Sequence, residues 1–327
     1  MRRACITGGA GFIGSNLADA LSAQGIEVVV VDDFRTGRRE FLEDLLSNSK
    51  NEVIEGDVSD GRLLASAMEG CDWVFHLQAN ADVRNGLQHP TLDLAQNTIA
   101  TSTVLEAMRE AKVRNIAFSS TGSIYGEPEV FPTPEDAPLP IQTSLYGASK
   151  LAAEGLIQAY AVGYGFTGLI FRFVSILGER YTHGHVYDFY CALKRDPSRL
   201  RVLGDGRQEK SYLYVKDCVS AILAAVAAHE GEPGPFVYNL GTDETLVVDD
   251  SVALVASFLD VEPVIEHSGG RRGWIGDSPL ILLDTTRIRA LGWEPRCSIR
   301  DAVRHTLQWF EDNEYAWRPE VAGQIAG

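Results

Sequence analysis

Tyr146 and Lys150 stand four residues apart in Tyr146-Gly147-Ala148-Ser149-Lys150, the separation that puts two side chains on one face of a helix. A phenol beside an ammonium is a tunable acid and base, because the cation favours the phenolate and draws the tyrosine pKa toward neutrality. Such a pair suits taking the proton of a carbinol while a hydride leaves. Far upstream, Thr7-Gly8-Gly9-Ala10-Gly11-Phe12-Ile13-Gly14 follows the apolar run Ala4-Cys5-Ile6. A strand that ends in glycines and turns into a helix offers bare backbone amides to a dinucleotide pyrophosphate, where a larger side chain would block the approach. Gly8, Gly11, Phe12, Ile13 and Gly14 are therefore the expected docking site for NAD.

The rest of a cofactor site can be placed at successive strand ends. Asp32 ends the strand 26–31, where a carboxylate accepts hydrogen bonds from the adenosine ribose and repels a 2′-phosphate, which favours NAD over NADP. Asp33 either joins it or starts a solvated loop. Asp57-Val58 closes the next strand, with a carboxylate for the adenine amino group and an apolar neighbour for its ring; an exposed loop aspartate is the other reading. Leu77-Gln78-Ala79 follows the fourth strand and should pass beside the phosphates and ribose. Asn97, on the following helix, could reach them too, although ordinary loop or helix polarity also accounts for Gln78 and Asn97.

What must position these groups is legible in the alternation of short apolar runs, at 3–6, 26–31, 52–55, 72–76, 114–118 and 167–171, with amphipathic stretches at 12–24, 60–69, 91–111 and 147–163. This pattern predicts an α/β fold, a Rossmann-type doubly wound parallel sheet. Continuous runs such as Val28-Val29-Val30-Val31 suit strands covered by helices on both faces. After residue 172 the pattern turns irregular, with turns at Gly204-Asp205-Gly206 and Glu232-Pro233-Gly234-Pro235. The expected division is an NAD-binding part over 1–172, with a return to the sheet within 207–241 near Phe236-Val237-Tyr238-Asn239-Leu240. A smaller C-terminal α/β substrate lobe over 173–312 and a tail over 313–327, read as partly disordered, complete the chain.

Bulk properties exclude several classes. Among 327 residues, 45% are hydrophobic and 23% charged, as in ordinary globular proteins. No apolar stretch reaches the roughly 18 residues of a membrane span, and Met1-Arg2-Arg3 runs straight into the first strand, so a cytoplasmic protein is expected. Cys5, Cys71, Cys191, Cys218 and Cys297 are scattered and read as free thiols. With 29 basic and 45 acidic residues the net charge is −16, which disfavours nucleic acid as a partner and requires a local basic pocket for any anionic substrate.

Phe118-Ser119-Ser120-Thr121-Gly122-Ser123-Ile124-Tyr125-Gly126 follows the fifth strand, so its hydroxyls lie at the carboxyl edge of the sheet, where open α/β folds bind ligands. Thr121, or else Ser120 or Ser123, should face Tyr146. In combination, Gly8-x-x-Gly11-x-x-Gly14, Asp32, Asp57, the Ser-Ser-Thr run, Tyr146-x-x-x-Lys150, Arg272-Gly273-Trp274 and Gly276-Asp277 make residues 3–312 resemble the extended short-chain dehydrogenase/reductase family, and within it nucleotide-sugar enzymes of the UDP-galactose 4-epimerase kind.

The resemblance implies catalytic roles for Thr121, Tyr146 and Lys150. Thr121 bonds the sugar's 4-oxygen, and Tyr146 removes the 4-hydroxyl proton while hydride passes to NAD. Lys150 supplies charge and bonds the nicotinamide ribose, and the 4-ketose turns over before hydride returns to its other face. It also implies a nucleotide-diphosphate sugar held by Ser123, Ser175, Lys210, Arg272 and Asp277. At 175 the family commonly has asparagine, and at 210 arginine, whose bidentate fork a lysine lacks. Gly122-Ser123 replaces the Asp-Glu pair of related 4,6-dehydratases, which favours epimerisation over dehydration. Ile281 stands where galactose-restricted members carry a bulky aromatic, leaving room for an N-acetylated hexose. Arg180 is the candidate cation for a 6-carboxylate, as in a UDP-glucuronate 4-epimerase or decarboxylase. A non-catalytic NAD-binding sensor would have no need of the three catalytic groups together. Tyr181-Thr182-His183-Gly184-His185 is a candidate lining of the sugar pocket; its two histidines lack a nearby carboxylate or cysteine, so no metal is expected. The apolar stripes of 91–111 and 147–163 are either core or, by the resemblance, the interface of a homodimer.

Overall fold

The apolar runs of the first half become strands because the central ones find helices to pack against on both faces, while the run at 52–55 forms a partly exposed edge. In the computed structural model, which describes residues 1–80, 86, 88–139, 141–273 and 278–317, they are β1 (Arg3–Thr7), β2 (Glu27–Asp32), β3 (Glu52–Glu55), β4 (Trp73–His76), β5 (Asn115–Thr121) and β6 (Thr167–Phe173). The helices among them are α1 (Phe12–Ala23), α2 (Glu43–Leu46), α3 (Gly61–Ala67), α4 (Pro90–Asp93), α5 (Ala100–Glu110) and α6 (Leu145–Tyr164). Beyond β6 come β7 (Ser175–Leu177), α7 (His185–Arg195), β8 (Arg199–Val202), β9 (Glu209–Lys210), β10 (Tyr212–Tyr214), α8 (Val215–Ala228) and β11 (Gly234–Leu240). The described chain continues through β12 (Leu246–Val247), α9 (Val248–Leu259), β13 (Val264–His267), β14 (Leu280–Ile281), α10 (Thr286–Arg289) and α11 (Ile299–Asp312).

Among the described residues, seven strands form one sheet in the order β11-β6-β5-β4-β1-β2-β3, and every neighbouring pair is parallel. This is the Rossmann-type doubly wound sheet. The edge strand β11 arrives from the second half of the chain and pairs with β6. The remaining described strands form three small sheets, β10-β7, β12-β9-β14 and β13-β8.

Alternate side chains divide between two apolar layers. Ala4, Ile6, Val28 and Val30 face one side, and Cys5, Val29, Val31 and Val74 the other. Each valine so buried contributes about 1.5–3 kcal/mol. The first layer does not stop at the sheet: it runs through Leu177, Tyr190 and Val215 to Val303, Leu307 and Phe310 of α11. The two halves of the chain therefore share one interior.

The helix expected over 91–111 differs in detail. Its first turn is α4, a π-helical segment covers Leu94–Ile99, and α5 follows. The widened turn leaves Asn97 buried, with its carbonyl accepting from Thr101 Oγ1 at 2.6 Å. No helix among the described residues is long and apolar enough to cross a membrane, and the five cysteines carry no disulfide. The tail beyond Trp317 lies outside the described residues; before it, Glu314–Ala316 forms a short 3-10 turn that Arg38 holds through the carbonyls of Tyr315 and Ala316, at 3.0 and 3.1 Å.

Candidate active site

Close approach fixes two of the glycines. A Cβ on Gly8, whose φ is +75°, would sit 2.6 Å from the backbone nitrogen of Gln78, and one on Gly14 would sit 2.2 Å from the Gly8 carbonyl oxygen. The turn is thus pressed between α1 and the exit of β4. Gly11 caps α1 with no side-chain hydrogen bond, so the N–H groups of Phe12, Ile13 and Gly14 in the first turn point outward as an anion cradle. Asp32 is buried at the end of β2; its Oδ2 accepts from the Ala10 N–H and its Oδ1 from the Phe34 N–H, both at 2.9 Å. Burial pushes its carboxyl above the usual range. It therefore shapes the glycine turn.

Asp33 and Asp57 are bridged by a residue the sequence reading passed over. Arg35 places Nε 3.0 Å from Asp33 Oδ2 and donates from Nη2 to Asp57 Oδ2. The Ser59 N–H, 2.8 Å from Asp57 Oδ1, holds the Asp57 carboxyl low, with Arg35 assisting. The signal for Arg35 was a cation three residues beyond Asp32 and two beyond Asp33. Val58 is buried. Leu77 donates its N–H to the Thr7 carbonyl at 3.0 Å, and Gln78 Oε1 is buried with no partner among the described residues. Leu77, Gln78 and Ala79 are each half-buried at the exit of β4. Asn97 is directed elsewhere than expected: its Oδ1 accepts from the Asn80 N–H at 3.0 Å and its Nδ2 donates to Ser149 Oγ at 2.9 Å. It fastens the β4 exit to α6, a task visible only once both partners are in place. The outward amides, the carboxylates at two strand ends and the orphaned Gln78 oxygen together fit a dinucleotide.

Ser144 caps α6 by accepting from the Gly147 N–H at 3.0 Å, and the helix carries Tyr146 and Lys150 on one face toward the end of β5. Lys150 is buried, donates to the Ser119 carbonyl at 2.8 Å and lies 4.6 Å from the Phe118 ring. Burial pulls its ammonium down to about 7, against the pull of Glu154. Contrary to expectation, the phenol of Tyr146 is not drawn toward neutrality: burial, and then the Asp93 carboxylate, push it above its ordinary value. The Lys150 ammonium donates to the Ser119 carbonyl. His76, also unforeseen, sits buried beneath the site between Thr7 Oγ1 at 2.7 Å and Thr101 Oγ1 at 3.1 Å. Burial, then the Lys150 charge, lower it to about 3, so it is neutral.

Of the three hydroxyl candidates, Ser120 is turned away to Glu154. Thr121 stays at the sheet edge, donating from Oγ1 to Ser123 Oγ and accepting from the Ser123 N–H, both at 3.1 Å. Beyond them lies a cavity of about 60 Å³ lined by Gly122, Ser123, Tyr125, Thr133, Ile281 and Leu283 among others. Lys210 and Ile281 are register partners of β9 and β14, and Lys210 Nζ reaches the Ser278 carbonyl. Arg272 pairs with Glu127, and Ser175 is exposed at the start of β7. Asp277, like Trp274 and Gly276, lies outside the described residues. Arg180 does not point toward a sugar: it pairs with Asp19 on α1 at 2.7 Å and approaches Asp44 at 3.8 Å. Its attraction to two carboxylates on distant segments could not be read from its neighbours in sequence. His183 stacks on Tyr181, and both ring nitrogens of His185 lie near the Tyr212 hydroxyl at 3.2 and 3.3 Å. No three His, Cys, Asp or Glu side chains converge as metal ligands among the described residues.

Residues 4–241 match the model of the NAD dependent epimerase/dehydratase family. The chain belongs to that family. Among its curated relatives is the UDP-glucose 4-epimerase of Mycolicibacterium smegmatis, 31% identical over 318 residues, covering 95% of this chain and 99% of the relative. Among solved structures, UDP-glucose 4-epimerase from Thermotoga maritima with UDP-glucose is 30% identical with a TM-score of 0.84, covering 95% of this chain and 99% of that one. The dTDP-glucose 4,6-dehydratase DesIV from Streptomyces venezuelae with NAD bound has a TM-score of 0.88 at 26% identity, covering 97% and 99%. The epimerase/dehydratase match spans the glycine turn, Thr121, Tyr146 and Lys150, whereas β14 and Arg272 lie beyond it.

Proposed function

We propose that the chain is a cytoplasmic NAD-dependent nucleotide-sugar 4-epimerase of the UDP-glucose/UDP-galactose type, acting as a homodimer. What supports this reading most is the fixing of Lys150, on the Tyr146 face of α6, to the Ser119 carbonyl at the end of β5, the strand end that also carries Thr121. The α1 amides, Asp32 and the β4 exit would hold NAD, which would supply a reversible acceptor for the hydride of the sugar's C4 and, oxidised, a positive charge that favours a phenolate. Thr121 Oγ1 holds the 4-oxygen. Tyr146 takes the 4-hydroxyl proton as the carbonyl forms and gives it back after the sugar has turned over. Lys150, fixed on the Ser119 carbonyl, keeps a cation close beneath the reacting groups.

Two features support epimerisation against its relatives. Gly122 and Ser123 carry no carboxyl to drive a dehydration, and Arg180 is committed to Asp19 rather than to a 6-carboxylate. In this reading residues 1–172, with the return within 207–241, hold NAD, while 173–312 hold the nucleotide sugar through Ser175, Lys210, Arg272 and Asp277. Ile281 lines the cavity beside Ser123, and its modest size leaves room for an N-acetylated hexose. The homodimer reading rests on the outer face of α6, where Ala152, Gly155, Ala159 and Val162 are exposed, together with exposed Leu94 and Ile99.

UDP-glucose deuterated at C4 tests the reading. Conversion to UDP-galactose with the label kept at C4 is expected. Solvent hydrogen at C5 marks a dehydratase, carbon dioxide from UDP-glucuronate a decarboxylase, and NAD binding without turnover of any of these sugars a sensor. Turnover of UDP-N-acetylglucosamine checks the room beside Ile281.

A further inference from the structure

Strand register sets three buried polar residues in one row: Ser120 on β5, Arg172 on β6 and Asn239 on β11 are cross-strand partners. Arg172 joins them to their surroundings. Its Nε and Nη2 donate to Glu154 at 3.1 and 2.8 Å, and Ser120 Oγ donates to the same carboxylate. Glu154 follows Lys150 by four residues and Tyr146 by eight, so the three share a helix face. On its other side Arg172 Nη1 donates to the Tyr125 hydroxyl and to the Glu135 carbonyl, each at 2.8 Å.

From there the bonds reach both walls of the cavity. The Tyr125 hydroxyl, kept neutral because burial pushes it up to about 12, donates to Asn239 Oδ1 at 2.8 Å. Asn239 gives its N–H to Glu135 Oε1 at 2.8 Å and its Nδ2 to the carbonyls of Thr133 and Asp284, at 2.9 and 3.0 Å. Tyr125 with Gly122 and Ser123 forms one wall, and Thr133 with Leu280–Leu283 the other.

A charged pair sealed from water is costly to desolvate, and apolar side chains of similar volume would hold the sheet as well or better. What the pair supplies is direction, since fully partnered donors and acceptors in a low dielectric permit one arrangement of the groups they touch. We propose that Arg172 is a positioning residue that sets the width of the sugar pocket, tying the Tyr146–Lys150 face of α6 to both pocket walls at once. This rests on the reading of Tyr146 and Thr121 as the groups that handle the sugar's C4.

The test replaces the pair together, Glu154→Leu with Arg172→Met, so that neither partner of the ion pair is left alone inside; Lys150 loses the pull of Glu154, and a pH profile of kcat separates that loss from a change of pocket width. The expected protein melts within a few degrees of wild type and binds NAD equally well, while KM for UDP-glucose rises and kcat falls by about 10–100-fold, the scale of misplaced reacting groups. Tyr125→Phe cuts only the pocket-side link and should raise KM severalfold. A folded double variant with wild-type kcat and KM overturns the proposal, as does an unchanged Tyr125→Phe if the double variant fails to fold. Wild-type turnover run alongside separates the two levels. Its absence in NAD-bound protein overturns the epimerase reading and this proposal with it, whereas wild-type turnover that the variants retain overturns positioning alone.

Discussion

Tyr146 is the group whose loss should be felt most in chemistry and least in binding. Tyr146→Phe keeps the ring that fills the space, so kcat for the proposed epimerisation should fall by about 10²–10⁴-fold, the range of a lost general acid and base. NAD affinity, measured by equilibrium dialysis, should hold. His76 makes a different kind of prediction. Its pKa lies near 3 in the fold against about 6.5 in the unfolded chain, so the unfolded state binds the extra proton in between. The neutral imidazole's contribution is present above about pH 6.5 and is lost as pH falls toward 3, at up to about 1.4 kcal/mol per pH unit. Unfolding curves of His76→Gln should be flatter than wild type across that window. Both residues show where sequence reading succeeds and stops. Tyr146 and Lys150 are legible because their relation is local, four residues on one helix. The Lys150 partner, the Arg35 bridge and the capture of Arg180 by Asp19 depend on segments far apart in the chain, which composition and spacing do not bring together.

The strands and most helices follow directly from alternation of apolar and amphipathic runs, since a parallel strand buried on both faces needs little beyond an unbroken β-branched stretch. The π-helical turn at Leu94–Ile99 does not follow. Its sequence is an ordinary helical one, and what opens the turn is the set of partners around buried Asn97, supplied by the β4 exit and α6. The short β9–β14 pairing is equally silent, because two-residue strands carry no period to detect. At the glycine turn the prediction is steric: Gly14→Ala forces a Cβ against the Gly8 carbonyl, an overpacking cost of about 1–3 kcal/mol. The turn must then shift, and NAD affinity measured by fluorescence titration should drop, while Gly163→Ala, with no positive φ and nothing within 4 Å of its added Cβ, leaves that affinity near wild type.

Across the whole molecule, the formal charge of −16 leaves a diphosphate substrate dependent on a few local cations. The exposed stripe on α6 makes association testable. Val162 is 79% exposed, and Val162→Glu would place a charge in the proposed interface, where it lacks water and a partner. Sedimentation should show the wild type as a dimer and the variant shifted toward monomer; a wild-type monomer would remove the homodimer from the reading.

The apolar layer that runs without a break from β1 to Phe310 makes the two halves of the chain one folding unit. Calorimetry should record a single heat-absorption peak, and a fragment ending at residue 172 should be insoluble. Because the halves share that interior, neither is expected to keep its fold when the other is removed, and a change of sugar preference is best sought by exchanging side chains that line the cavity.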